Sequence, residues 1–142
     1  SITGPDSLAG KKLCSVTGST SASNLQKKVP GVNLQEYGTY SLCVDALKAK
    51  NVDALTTDDT ILAGYAAQDA NKGQLKVVGK TFSTENYGVG LKKGDTAFCT
   101  QVTDVLKKYI SSGEWQKAVD KYFGPAGYKP GAGNPPTPAA CS

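Results

Sequence analysis

The chain has no arginine, no histidine and no methionine among its 142 residues. Arginine grips guanine, phosphate or carboxylate with two parallel hydrogen bonds, so its absence argues against nucleic-acid binding. Histidine is the common ligand of zinc and the common proton carrier near neutral pH. Without it, neither a metal site nor a cofactor is expected, and no base is at hand to activate a cysteine or serine nucleophile. Long apolar stretches are missing too. No run reaches the roughly 18 residues of a membrane span, and no signal-peptide pattern opens the chain. With no methionine before SITGPDSLAG, the sequence reads as a processed product or a fragment, its targeting segment removed or never present.

Hydrophobic residues make up 39% and charged residues 20%, the balance of one globular domain, or part of a larger protein, with a real core. The net charge of +4 comes from lysines scattered in pairs (11–12, 27–28, 92–93 and 107–108), as on a solvated surface. The four cysteines, Cys14, Cys43, Cys99 and Cys141, show no CxxC spacing. An even number without metal-ligand spacing points to two disulfides and an oxidising compartment. Three pairings are open from the count alone, and four inert thiols are the plain alternative.

The rest of the chain is organised around KKLCSVTGSTS at 11–21. Residues 12–16 read as a short buried strand. Gly18 permits a sharp turn, and Ser19, Thr20 and Ser21 are good helix N-caps. A helix N-terminus with open amides and added hydroxyls is a ready anion site; the plain reading is a capped βα turn. The helix, over 19–28, stops before Pro30. Residues 33–37 form a second strand, with Val32, Leu34 and Tyr37 facing inward. A helix from 39 or 41 to 50 places Leu42, Cys43, Ala46 and Leu47 on one face. A third strand over 52–57 leads through Asp58 and Asp59 to a helix over 60–68. Further strands are expected at 75–78 and 87–91. Gly94 and Asp95 cap a long helix over 96–110 with Phe98, Val102, Val105, Leu106 and Tyr109 on one stripe, and a last helix covers 114–122. The tail at 124–142 holds five of the seven prolines and should lack regular structure. It still ends near Cys141, for which Cys99 is the natural partner.

Strands alternating with helices over 12–91 argue for an α/β fold, a mostly parallel sheet flanked by helices. Ligands of such sheets bind outside the carboxyl ends of the strands. Two turns there carry suitable chemistry: the donor-rich turn at 17–21, and TTDD at 56–59 with its hydroxyls and carboxylate pair. A donor nest facing a carboxylate suits a zwitterion, the shape of an α-amino acid. Asp58 and Asp59 are equally good helix caps, and Tyr37 and Tyr40 read as packing residues.

In order along the chain, LAGKKLCSVTGSTSASNL, NVDALTTDDTILAGYAA, LKVVGKTFSTENYGVGLKKGD and VLKKYISSGEWQKAVDKYFG resemble the second half of extracellular solute-binding proteins for polar amino acids, of the type II periplasmic-binding-protein fold. More narrowly they resemble the glutamate-binding lipoproteins of actinobacterial ABC importers. The likeness covers nearly all of 7–128. It implies a second ligand-binding lobe at 1–86 and a returning strand beside the hinge at 87–94. Helices at 95–123 would then pack on a first lobe that is missing here, with Trp115 in the core against it, and the Pro/Gly-rich tail would follow at 124–142. The resemblance also implies that Ser19 and Thr20 hold the ligand α-carboxylate, that Asp58 pairs with the α-ammonium, and that Thr57 and Thr17 approach the ligand side chain. The family's carboxylate-clamping arginine lies in the first lobe, so this chain would supply only part of the site. Cys14 in mid-strand and Cys43 on the apolar face of the helix after the second strand favour 14–43 with 99–141 as the disulfides.

The expectation is a non-enzymatic, substrate-binding component of an ABC importer. It would capture L-glutamate, with aspartate, glutamine and asparagine open, and deliver it to the membrane permease. Its place would be extracytoplasmic, at the cell surface, lipid-anchored through a missing N-terminal segment. An extracellular interaction or adhesion module without a small-molecule ligand is the alternative, and an enzyme on the same scaffold is a second. Exposed helix faces and the edge at 87–91 imply self-association of the fragment.

Overall fold

A computed structural model describes residues 1–78 and 80–141. The chain divides into two compact units, Ser1–Glu85 and Asn86–Ser142.

The first unit is built on three parallel strands in the order β2-β1-β3. These are β1 (Lys12–Val16), β2 (Asn33–Tyr37) and β3 (Ala54–Leu55). Helix α1 (Thr20–Lys28) joins β1 to β2, α2 (Tyr40–Lys48) joins β2 to β3, and α3 (Asp59–Ala67) follows β3. β1 takes the centre because it can be buried on both faces. Leu13, Cys14 and Ser15 are all buried in succession, the continuous pattern of a strand covered on each side by helices. On the α1 side Leu13 packs with Leu8, Leu25 and Val29, with Val32 and Leu34 against them. On the α2 side Cys14 packs with Cys43, Ala46 and Val52, with Tyr37 and Leu47 against them. The Cys14–Cys43 disulfide joins β1 to α2 inside that second cluster, with Cα atoms 5.6 Å apart. Cys99–Cys141 is the other bridge, at 5.9 Å, so the pairing argued from the sequence is the one present.

Three details differ from the sequence reading. The third strand is only two residues long, although its pairing to β1 continues outside it. Asp53 N donates to Lys12 O at 2.8 Å, Thr56 N donates to Cys14 O at 2.9 Å, and Lys12 N donates to Asp53 Oδ2 at 2.8 Å. No strand is present at 75–78 or 87–91. Alternating side chains favour an extended chain, but a strand forms only against a neighbour's backbone, and the sheet of the first unit ends at β2 and β3. In α2 the buried residues are Cys43, Val44 and Ala46, and Leu42 is exposed. The disulfide points Cys43 at β1; Leu42 and Val44 lie 100° to either side of it, and the Val44 side is the buried one.

The second unit contains α4 (Thr96–Ser111) and α5 (Glu114–Phe123). Asp95 caps α4, accepting from Phe98 N at 3.0 Å. Gly113, at φ 80°, turns the chain between the helices in a backbone conformation that side chains resist. Cys141 is bonded to Cys99 on α4. Apart from a single 3-10 turn at Gly124–Ala126, the described tail lacks regular structure. The Phe123 and Tyr128 rings meet edge to face at 5.6 Å.

Candidate functional site

In a parallel sheet of order 2-1-3, the connection after β1 crosses to one side and the chain returns to the other. The crevice therefore opens at the carboxyl ends of β1 and β3. Two turns meet there: residues 17–19, between β1 and α1, and residues 56–58, between β3 and α3. Gly18 sits at φ 75° in the first.

The first turn ends in a capped helix. Ser19 N donates to Val16 O at 3.0 Å, closing the turn. Ser19 Oγ accepts from Ala22 N at 3.1 Å. The next two amides, those of Thr20 and Ser21, have no acceptor among the described residues. They are the open donors of a helix N-terminus, where the backbone also presents partial positive charge. Thr20 is exposed beside them. Thr17 leans on β2 instead, its N–H donating to Tyr37 O at 3.1 Å and its hydroxyl to the same oxygen at 3.5 Å. Gly18 N–H reaches Glu36 Oε1 at 3.4 Å.

The second turn has the opposite character. Thr57 is buried. Asp58 begins α3 through its carbonyl, which accepts from Leu62 N at 3.0 Å, and its carboxylate makes no capping bond to the helix. The cap role that competes with the ligand role is therefore not in use. Burial, then the nearby Glu85 carboxylate, then Asp59, raise the Asp58 pKa above its ordinary 3.8. Glu85 is tied to α1 by Asn24 Nδ2 at 3.2 Å. A carboxylate crowded by negative charge favours a cation beside it.

A layer of hydroxyls joins the two turns. Ser15 Oγ donates to Thr56 O at 2.9 Å and lies 2.9 Å from Ser19 Oγ. Ser21 Oγ and Thr56 Oγ1 are also 2.9 Å apart. Ser15, Ser21 and Thr56 are all buried. Among the expected site residues, Ser19 and Thr20 thus lie on one turn, Thr57 and Asp58 on the other, and Thr56 connects them. Thr17 is held to the β2 side. Ser21 and Thr56 lie in the two turns that the sequence marks, which gives them no role of their own, and nothing in the sequence reading marks Ser15, Asn24 or Glu85 as site residues. For Ser15 a signal exists: a hydroxyl in a strand buried on both faces needs partners. Glu85 lies in an irregular connection with no pattern to mark it.

No protein-family profile matches the chain. The glutamate-binding protein of Corynebacterium efficiens is 45% identical over 120 residues, 81% of this chain and 40% of that protein. The glutamine-binding protein of an ABC transporter in Bacillus subtilis is 37% identical over 114 residues, 80% of this chain and 41% of that protein. Among solved structures, an ancestral arginine-binding protein bound to glutamine superposes with a TM-score of 0.71 at 33% identity, covering 87% of this chain and 54% of that one. The GluR0 ligand-binding core of Nostoc punctiforme in complex with L-glutamate gives 0.72 at 29% identity, covering 86% and 56%. The chain spans about 40% of the length of the curated relatives it matches. Over that span it is a homologue of a glutamate-binding protein and of the glutamine-binding protein of an ABC transporter, and it has the α/β lobe architecture of solved amino-acid-binding proteins.

Proposed function

We propose that this chain supplies one lobe's share of the amino-acid site in the substrate-binding component of an ABC importer. The observation that carries the reading is the pair of turns at the ends of β1 and β3. One offers open helix-terminal amides and the other a crowded carboxylate, and both are joined at Thr56. The ligand α-carboxylate lies on the turn of Ser19 and Thr20, and its ammonium lies against Asp58. Thr57 approaches its side chain, and Thr17, whose hydroxyl rests 3.5 Å from Tyr37 O, does so from the β2 side. L-Glutamate is the proposed ligand, supported by the names of the relatives, with glutamine, aspartate and asparagine as its competitors. The chain is arginine-free, so the remaining carboxylate clamp belongs to a first lobe of the same protein.

In this reading residues 1–86 are the second lobe and 87–94 return to the hinge. Residues 95–123 pack on the first lobe, and 124–142 form the stapled tail. The exposed Phe98, Val105 and Tyr109 of α4 support such a cover. The assembled protein works outside the cytoplasmic membrane, lipid-anchored at the cell surface. It hands its ligand to a permease and performs no catalysis.

Two or three charge-assisted hydrogen bonds give this half-site about 4 kcal/mol, roughly millimolar affinity. Saturation-transfer NMR of the chain with L-glutamate tests it. Transfer to glutamate that Asp58→Asn abolishes supports the proposal. No transfer to any of the four amino acids favours the adhesion module, and turnover of the ligand in the tube favours an enzyme.

A further inference from the structure

We propose that Ser15 is the positioning residue of this site: its buried hydroxyl sets the spacing between the two turns and so selects α-amino acids over simple carboxylates. The inference rests on the half-site reading above.

Hydrogen-bond direction carries the first step. The Thr56 carbonyl can only accept, so Ser15 donates to it. A hydroxyl has one hydrogen. In the 2.9 Å contact between Ser15 Oγ and Ser19 Oγ, Ser19 is therefore the donor. Ser19 Oγ also accepts from Ala22 N. Its hydrogen points into the protein and one lone pair holds the helix cap. Ser19 thus acts as a strut, and the donors left for an anion are the Thr20 and Ser21 amides and the exposed Thr20 hydroxyl beside it.

The second step is geometric. From one oxygen in the middle of the sheet, Ser15 reaches the start of α1 and the end of β3. The Ser21–Thr56 pair is a parallel tie between the same two elements. An α-amino acid carries its carboxylate and ammonium on one carbon, so both bind only if the turns keep one spacing. A simple carboxylate needs the first turn alone. Preorganised spacing favours the zwitterion because its ordering cost is met before binding. Alanine or valine would fill a doubly covered strand without hydrogen-bond requirements, so a serine here is explained by the two elements it joins.

The test is an amide NMR titration of the whole chain with L-glutamate and with acetate, in wild type, Ser15→Ala, Ser15→Thr and Thr56→Val. Ser15→Ala should weaken glutamate by roughly three- to tenfold, the worth of one buried hydrogen bond, with acetate unchanged. Ser15→Thr, which keeps the hydroxyl, should recover glutamate binding. Thr56→Val removes only the Ser21 tie and should lower the glutamate-to-acetate ratio less. If Ser15→Ala does not fold, Ser15→Cys, close in size but with only a weak S–H donor, decides the matter by the same ratio. In ligand-free spectra, Ser15→Ala should move the Thr20 and Ser21 amides together with those of Thr57 and Asp58. Equal losses for both ligands, or no loss, overturn the proposal, as does a spectral change confined to one turn. If wild type binds neither ligand, the half-site reading falls, and the ligand-free spectra alone decide whether Ser15 couples the turns.

Discussion

The two units of the chain put similar amphipathic helices to different use. In the first, α1 buries Ser21, Ala22 and Leu25 against the sheet within nine residues. In the second, α4 runs for 16 residues and buries none, and Val105 on its apolar stripe is 67% exposed. A sheet offers a flat apolar face on which a helix can lie. Two helices and a tail poor in apolar residues do not close around such a stripe. The disulfides follow the same division: Cys14–Cys43 is fully buried, whereas Cys99 and Cys141 are half-exposed. An amphipathic pattern therefore shows that a helix has an apolar face, and the partner for that face need not lie in the same unit.

The largest effect should come from the bridges. Replacing Cys14 and Cys43 with alanine should lower stability by about 3–4 kcal/mol through loop entropy alone, with a further cost for the core volume lost. Trp115 fluorescence reports the second unit and the amide spectrum of β1 the first, during denaturant unfolding. The β1 signals should shift far more than the Trp115 transition. Equal shifts would break the division into two units. Removing Cys99 and Cys141 should reverse the pattern.

Next in size is the contrast between cores. Leu13→Ala, at a site 1% exposed, should cost about 2–5 kcal/mol. Val105→Ala on the open stripe should stay within about 0.5 kcal/mol. A comparable loss at Val105, read from the same unfolding curves, would mean that α4 is covered within the chain.

A third test concerns what the open stripe does. Sedimentation should show concentration-dependent self-association of the wild-type chain, reduced by Val105→Lys. A strictly monomeric profile at high concentration would contradict it.

The smallest effect is electrostatic. Asp58 holds its proton more tightly folded than unfolded, because burial and Glu85 raise its pKa. Its contribution favours the folded state below its ordinary value of 3.8 and is lost as pH rises through the folded value. Glu85→Gln should lower the Asp58 midpoint in a carboxylate NMR titration. An ammonium ligand should lower it too, so binding strengthens as pH rises through that midpoint. An unmoved midpoint in Glu85→Gln would remove Glu85 from the site.

Much of the first unit was legible because its signals are local. Gly18 followed by Ser19 and Thr20 marks a strand, a turn and a cap within a few residues. Cys14 and Cys43 lie on faces that a βα crossover brings together. The strands at 75–78 and 87–91 were misread because a strand is a property of a pair, and the alternating YGVGL pattern carries no information about its neighbour. The hydroxyl layer was hidden for a related reason. Ser15 and Thr56 are 41 residues apart, and only the parallel register of β1 and β3 sets them side by side. Glu85 reaches Asp58 from an irregular connection, where no periodicity points.

The most direct measurement is an amide NMR titration of the chain with L-glutamate to tens of millimolar, with L-glutamine and acetate as controls. The expected result is a set of shifts confined to the amides of 18–21 and 57–59, larger for the amino acids than for acetate. Shifts that fall elsewhere, or an acetate response equal to that of glutamate at both turns, would contradict a half-site for an α-amino acid at the ends of β1 and β3.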